Sequence, residues 1–158
     1  MINTYRYRGQ SEIEQDGKRA TVQIPSPVTL SRIGPFIEPV TITHPQVDQE
    51  RLEEQGRTVP TISVRTLIDT GASFSIVSQR VAAELGLAQT GCQNVSSVQD
   101  EQLQPVYYAR IIFPWSSGIE IPIVSCPLRR FDFLIGRDVL AHWHFTYNGA
   151  DGSIVICD

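Results

Sequence analysis

The stretch Leu67-Ile68-Asp69-Thr70-Gly71-Ala72 places a carboxylate where an apolar run meets a turn. The glycine allows close backbone approach and positive φ. The threonine hydroxyl can hydrogen-bond to neighbouring backbone, so such a turn can hold an acid rigidly. The stretch therefore predicts a strand that delivers Asp69 as a catalytic acid. An Asp that simply ends a strand, as Asp and Gly often do, is the ordinary alternative.

A second stretch, Leu134-Ile135-Gly136-Arg137-Asp138-Val139-Leu140, is an apolar run stopped by glycine and followed by a short helical pattern. Asp138 in the first turn of that helix is favourably placed against the helix dipole. In this order, with strand-rich sequence between them, the two stretches resemble the retropepsin family of aspartic proteases, and more its cellular and bacterial members than the compact viral ones. The resemblance covers roughly residues 34–157.

The resemblance implies an all-β fold with two or three short helices, in which each chain forms one lobe as a closed β-barrel of the retropepsin (acid protease) type. Apolar residues alternate with period two along much of the chain, which also indicates β structure. Residues 34–158 are expected to form the protease domain. Residues 1–33 have no counterpart in the viral enzymes and are interpreted as an N-terminal arm or extra strand, a dimer contact or a removable pro-segment.

Asp69 is the only aspartate followed by Thr-Gly or Ser-Gly. Because the family's mechanism uses two carboxylates that share one proton and one water, the resemblance implies a homodimer with one Asp69 from each chain around a twofold axis. Two like charges so close cannot both ionise easily. The implied activity is hydrolysis of peptide bonds in a polypeptide substrate, by an aspartic endopeptidase without a cofactor.

Two alternatives to this function stay open. A dimeric module of the same fold could bind peptides or support assembly without catalysis. An intrachain acid/base pair of Asp69 and Asp138 is also conceivable, because two carboxylates suffice for much hydrolytic chemistry.

The resemblance also assigns roles around the acid. Thr70 would make hydrogen bonds across the dimer axis, Gly71 would let substrate backbone come close, and Ala72 would complete the supporting turn. Gly136 would lie under that turn, and Asp138 is interpreted as structural.

Arg137 departs from its family counterpart, which often pairs with a carboxylate a few residues beyond the active-site turn. At those positions this chain has Ser73 and Phe74. The arginine is therefore expected to find another partner, Asp132 or Asp138, and is interpreted as a structural residue near the site.

Residues 92–98 and 103–113 predict two strands of a hairpin that takes the place of the family's flap. A flap closes over substrate and excludes water. The flap candidates at its tip are Val98, Gln99, Asp100 and Glu101. Because this tip has charge and no glycine, a stiffer or more open lid is expected, and an ordinary surface hairpin is the alternative.

Local patterns predict the remaining elements. Ser78 would cap a helix through Leu85 that Gly86 closes, with Val81, Ala82 and Leu85 facing inward. A second helix is predicted over residues 45–56, strands over 36–43, 61–69, 72–77 and 119–126, and a C-terminal hairpin over 142–147 and 153–157.

Composition excludes several classes of function. The chain has 158 residues, 41% hydrophobic and 19% charged, with a net charge of -4. This mild acidity gives no basic face for nucleic acid. The apolar runs are far shorter than a membrane span, and the polar N-terminus lacks the apolar core of a signal peptide. No membrane partner is therefore expected.

Cys92, Cys126 and Cys157 are odd in number and widely spaced, which favours a reducing compartment and a cytoplasmic location. They show no Cys-x-x-Cys metal pattern, and nothing singles out a cysteine-nucleophile site. His142 and His144 would share one face of a strand, but no third ligand is evident, so no metal is expected.

Overall fold

A computed structural model of the chain describes residues 2–6, 9–15, 18–24, 26–96 and 101–157. Strands dominate these residues and the helices are short, so the predicted mainly β fold is confirmed. In this described part of the chain, no helix is long and apolar enough to cross a membrane. The chain divides into two compact units, residues 1–36 with 142–158 and residues 37–141. The domain boundary at residue 34 stays a prediction.

Strands and short helices alternate irregularly along the chain. Their order is β1 (Ile2–Arg6), β2 (Gly9–Gln15), β3 (Lys18–Ile24), α1 (Ser26–Ile33), β4 (Phe36–Thr43), α2 (Gln46–Glu54), β5 (Thr61–Ile68), β6 (Ile76–Ser78), α3 (Gln79–Leu85), β7 (Gln89–Ser96), β8 (Glu101–Ile112), β9 (Ile119–Cys126), β10 (Phe133–Ile135), α4 (Arg137–Leu140), β11 (His144–Asn148) and β12 (Ser153–Cys157).

The first unit contains a three-stranded antiparallel sheet in the order β1-β12-β11 and a separate β2-β3 hairpin. The predicted C-terminal hairpin is confirmed as β11 and β12. Ile154 and Ile156 of the middle strand are fully buried. Gly152 has φ +72°, and a Cβ there would lie 2.1 Å from the carbonyl carbon of Ser26, so this turn requires glycine.

The second unit is built on a seven-stranded sheet in the order β4-β5-β10-β6-β9-β8-β7. β4 also pairs with β8, where Thr41–Thr43 lie opposite Arg110–Ile112, so six strands are linked in a ring of pairings. Apolar residues of these strands form the core of this unit. Its fully buried side chains include Ile37, Val40, Ile42, Val77, Ile111, Ile123, Phe133 and Ile135.

The two motif strands lie side by side. β10 pairs with β5 in parallel, with Leu134 opposite Leu67 and Ile135 opposite Ile68. Parallel strands end at the same edge of a sheet, so the residues that follow β5 and β10 meet there. The pairing continues one step beyond β5, because the amide of Asp69 donates to the carbonyl oxygen of Ile135 at 3.0 Å.

The strand predicted over residues 72–77 is wrong for residues 72–75, since only Ile76–Ser78 form β6. Among the four residues before β6, backbone groups of Ala72 and Ser75 bond to the second motif stretch instead. The carbonyl oxygen of Ala72 accepts from the amide of Arg137 at 2.9 Å, and the amide of Ser75 donates to Asp138.

The helix α3 has the predicted ends. Ser78 Oγ accepts from the amide of Val81 at 3.3 Å, which satisfies one of the free donors of the first turn. Gly86 has φ +64° and closes the helix in the left-handed conformation. Val81, Ala82 and Leu85 are buried, as predicted.

β7 and β8 form the predicted hairpin with longer strands than expected. The two strands are antiparallel, and Ser96 opposite Glu101 is the last described pair of the ladder. Glu101 is the first residue of β8 and is exposed. The flap candidates Val98, Gln99 and Asp100 lie outside the described residues.

Candidate active site

Asp69 directly follows β5 and occupies a turn that two hydrogen bonds close. Its Oδ1 accepts from the amide of Gly71 at 2.8 Å, and its carbonyl oxygen accepts from the amide of Ala72 at 3.2 Å. The side chain of Asp69 is half-buried. Among the residues that the structure describes, none hydrogen-bonds to Oδ2. The turn therefore fixes one oxygen of the carboxylate through the backbone.

Glycine is needed at position 71 because a side chain there would crowd Asp69, and not because the position has an unusual φ. A Cβ at this position would lie 3.1 Å from Asp69 Oδ1, and the φ of Gly71 is outside the left-handed region. A side chain at position 71 would therefore press on the oxygen that the Gly71 amide holds.

Gly136, which directly follows β10, is buried against the backbone that follows the turn. A Cβ on Gly136 would lie 2.5 Å from both the carbonyl carbon and the carbonyl oxygen of Phe74. Its φ of −94° is open to any residue, so sterics alone demand glycine here. The second motif stretch thus packs closely against the backbone that follows the first.

Arg137 clamps the turn from the side of the second stretch. Its Nη1 donates to the carbonyl oxygens of Thr70 and Gly71, at 3.0 and 3.2 Å. Its Nη2 donates to Ser73 Oγ at 2.8 Å. With the bond from its amide to Ala72, this one residue contacts four consecutive residues of the loop that joins β5 to β6, residues 69–75, which we call the active-site loop. Thr70 takes part in this clamp through its backbone and not through its side chain. The residue itself is exposed.

The expectation that Arg137 pairs with Asp132 or Asp138 is wrong, because both carboxylates have other partners. Asp132 Oδ1 lies 2.7 Å from Arg80 Nη2. Asp138 Oδ2 accepts from the amide of Ser75 at 2.9 Å, and its Oδ1 accepts from Ser75 Oγ at 2.8 Å. Ser73 supplies the acceptor in place of a carboxylate.

Ser75 is a residue that the sequence did not single out. It is fully buried, and its Oγ accepts from the amide of Gly136 at 3.2 Å while it donates to Asp138. Its carbonyl oxygen accepts from the amide of Val124 in β9 at 3.1 Å. The one signal in the sequence is a small polar residue inside an apolar run.

A cavity of about 390 Å³ opens beside Asp69. One wall is the active-site loop, including Phe74, whose side chain is 45% exposed. β7 also lines the cavity, through Asn94, Val95 and Ser96. The described end of the hairpin therefore flanks the carboxylate. The sequence did not indicate these three residues, because they are far from Asp69 along the chain.

The structure brings no metal-binding group together in the described residues: no three or more His, Cys, Asp or Glu side chains cluster there. Cys92, Cys126 and Cys157 are free thiols. Burial raises the pKa of the Cys126 thiol, because a thiolate is poorly solvated there.

A family model of aspartyl proteases matches residues 56–112, a span that contains β5, the Asp69 turn, α3 and the β7-β8 hairpin. This span contains the first of the two motifs but not residues 134–140, and over it the resemblance to an aspartic protease is confirmed. A search of curated proteins returned no match.

Several solved structures are similar to this chain. The EIAV protease in complex with an inhibitor has 17% identity and a TM-score of 0.44, covering 50% of this chain and 75% of that chain. A retropepsin-like aspartic protease from Rickettsia conorii has 16% identity and a TM-score of 0.45, covering 60% and 73%. The retroviral protease-like domain of Ddi1 from Leishmania major has 18% identity and a TM-score of 0.39, covering 55% and 73%.

Proposed function

We propose that this protein is an aspartic endopeptidase, in which two copies of the chain each contribute Asp69 to one active site. The observation that carries the proposal is the carboxylate of Asp69, held through Oδ1 in a hydrogen-bonded turn beside an open cavity. The turn lies in the span that the aspartyl protease family model matches, which supports the same conclusion.

The proposed chemistry needs two such carboxylates and one water. One Asp69 is ionised and takes a proton from the water, while the oxygen of the water attacks the scissile carbonyl carbon. The Asp69 of the second copy, protonated, donates its proton to the carbonyl oxygen. The first then gives its proton to the leaving nitrogen as the C–N bond breaks, and the second recovers its proton as the carbonyl re-forms. The pair ends with one shared proton, and no covalent intermediate forms.

The second copy is required because a single chain offers one suitable acid. Both oxygens of Asp138 accept hydrogen bonds from within the chain, which supports a structural role and disfavours an intrachain pair with Asp69. In the dimer, the exposed Thr70 would contact its counterpart, while Gly71 and Ala72 would shape the turn. Gly136 and Arg137 would hold that turn from behind.

A polypeptide substrate would lie in the cavity between the active-site loop and β7. Asn94, Val95 and Ser96 line that cavity, so the β7-β8 hairpin is suitably placed to cover substrate. We assign the flap to this hairpin, with Val98, Gln99, Asp100 and Glu101 at its tip.

The three free thiols support a reducing compartment, and we place the enzyme in the cytoplasm without a nucleic acid or membrane partner. We assign the protease domain to residues 34–158 and an N-terminal arm or extra strand to residues 1–33. No cofactor enters the proposed reaction.

The decisive experiment compares wild type with Asp69→Asn on an unfolded protein substrate, from about pH 3 to 7, where a carboxylate pair titrates. Asparagine keeps an oxygen that can accept from Gly71 but can neither take nor release the proton. Wild type should cleave and Asp69→Asn should not. Asp48→Asn, a change of an acid on α2, is the matched control and should cleave like wild type.

Sedimentation must show that all three proteins are dimers under the assay conditions. Equal cleavage by wild type and Asp69→Asn would contradict the proposal. Absence of cleavage by a dimeric wild type throughout the pH range would favour the alternative, a non-catalytic module that binds peptides or supports assembly. A strictly monomeric wild type would exclude the shared site.

A further inference from the structure

A second cavity, of about 440 Å³, opens beside the loop that joins β9 to β10. Four arginines line it: Arg65, Arg80, Arg129 and Arg130. Asp132 is the one carboxylate among the described residues of its lining, although the chain as a whole has a net charge of -4. The residues that line it are different from those that line the cavity beside Asp69. We call it the arginine cavity.

Two of these arginines are already paired with carboxylates. Arg65 Nε lies 3.1 Å from Glu38 Oε1. Arg80 contacts Asp132 and Glu84, each at 2.7 Å, and the hydrogen bond to Asp132 raises the pKa of Arg80. These exposed pairs are weak. They compensate much of the charge of the two guanidinium groups.

The other two arginines carry charge that no carboxylate of the described ranges neutralises. Arg129 and Arg130 are exposed, and neither forms an ion pair with a carboxylate of the described residues. The loop that carries them is anchored at its end by two backbone hydrogen bonds of Asp132. The amide of Asp132 donates to the carbonyl oxygen of Arg65 at 3.1 Å, and the carbonyl oxygen of Asp132 accepts from the amide of Ser78 at 2.8 Å. A pair of adjacent cations is thus presented next to a fixed backbone.

We infer that the arginine cavity binds an acidic polypeptide segment, at a site separate from Asp69. Arginine binds carboxylates through two parallel hydrogen bonds, and the pairs at Arg65 and Arg80 show that guanidinium and carboxylate groups meet here. Leu128 and Phe131, both half-buried, add apolar surface on which peptide side chains can pack. A nucleic acid would need a wider basic face than one cavity on an acidic protein.

The test is a binding measurement on the full chain with a labelled peptide of alternating glutamate and serine. Fluorescence anisotropy at low ionic strength, about 0.05 M, preserves the electrostatic term. Wild type should bind this peptide and not its counterpart with glutamine in place of glutamate. The double variant Arg129→Gln with Arg130→Gln should bind it about tenfold or more weakly, because two charged hydrogen-bond donors are lost.

A matched control removes the same charge elsewhere. Arg32→Gln with Arg57→Gln changes two exposed arginines outside the cavity and should bind like wild type. A second double variant, Arg129→Lys with Arg130→Lys, keeps the charge but loses the planar fork, and should bind with intermediate affinity. Far-ultraviolet circular dichroism checks that each variant is folded.

Equal binding by wild type and the Arg129→Gln, Arg130→Gln variant would overturn the inference. So would an equal loss in the control, since net charge would then explain the effect. Displacement of the peptide by an equal concentration of inorganic phosphate would show a phosphate site instead. Asp69→Asn should bind the peptide like wild type, so the outcome does not depend on whether the protein is a protease.

Discussion

Arg137 Nη1 donates a 3.0 Å hydrogen bond to the carbonyl oxygen of Thr70, which joins the second motif stretch to the turn of the first. The same guanidinium reaches Gly71 and Ser73. A carbonyl oxygen and a hydroxyl are neutral acceptors, so this clamp holds the turn by geometry more than by charge. Its strength therefore depends on the planar fork of arginine.

Arg137→Lys should loosen the active-site loop although it keeps the charge. A single ammonium group cannot reproduce three donations in the fork geometry, so the free energy of unfolding should fall by about 1–2 kcal/mol. Urea unfolding followed by tryptophan fluorescence measures this change. Arg51→Lys, which alters an exposed pair with Asp48 on α2, should change stability by less than about 0.5 kcal/mol. Equal effects of the two variants would refute the clamp.

Gly136→Ala should be strongly destabilising, because the new methyl group would lie 2.5 Å from the backbone of Phe74. Backbone cannot move aside as a flexible side chain can, so a loss of about 2–4 kcal/mol or failure to fold is expected. Gly91→Ala is the control, since nothing lies within 4 Å of a Cβ there and its φ is not left-handed. If both alanine variants unfold at the same urea concentration, Gly136 is not in close contact with Phe74.

Ser75→Ala should cost about 1–3 kcal/mol, because it removes the partner of the Gly136 amide and one donor to Asp138 in a buried place. Thermal or urea unfolding reports the loss. Ser63→Ala, on an exposed position of β5, is the comparison and should be nearly neutral. A neutral Ser75→Ala would show that water or a rearranged backbone replaces the hydroxyl.

The thiols should differ in reactivity with iodoacetamide. Burial raises the pKa of Cys126, so at any pH between about 7 and 9 a smaller fraction of it is thiolate than for an ordinary thiol. Cys92 is exposed and should be alkylated about fivefold faster or more. Peptide mapping by mass spectrometry at several times gives both rates in one sample. Faster labelling of Cys126 than of Cys92 would contradict the partial burial of the Cys126 thiol.

Elements with local signals could be predicted from the sequence. The signals for α3 are a capping serine, buried apolar residues on one face and a closing glycine. One short segment supplies them as Ser78, Val81 and Gly86. The β5 strand and the Asp69 turn were likewise predictable, because an apolar run ending in Asp-Thr-Gly is a local pattern. Such features depend on neighbours along the chain.

Features that depend on distant partners could not be predicted. Residues 72–75 lie outside the expected strand, and Arg137 and Asp138, far away in sequence, bind the carbonyl oxygen of Ala72 and the amide of Ser75. Arg137 also donates to Ser73 and not to a carboxylate, and this contact again joins residues that are far apart in the sequence. α1 was also missed, since its one strong local signal, proline in the first turn, stands within residues 1–33, which were interpreted as an arm or extra strand, a dimer contact or a pro-segment.

The walls of the cavity beside Asp69 come from three stretches that are far apart in sequence: residues 69–76, residues 94–96 and Val124. An occupant would shield all three at once. In hydrogen–deuterium exchange, a bound inhibitor would therefore slow labelling of three separate peptides together, a footprint that no single loop of the chain would produce.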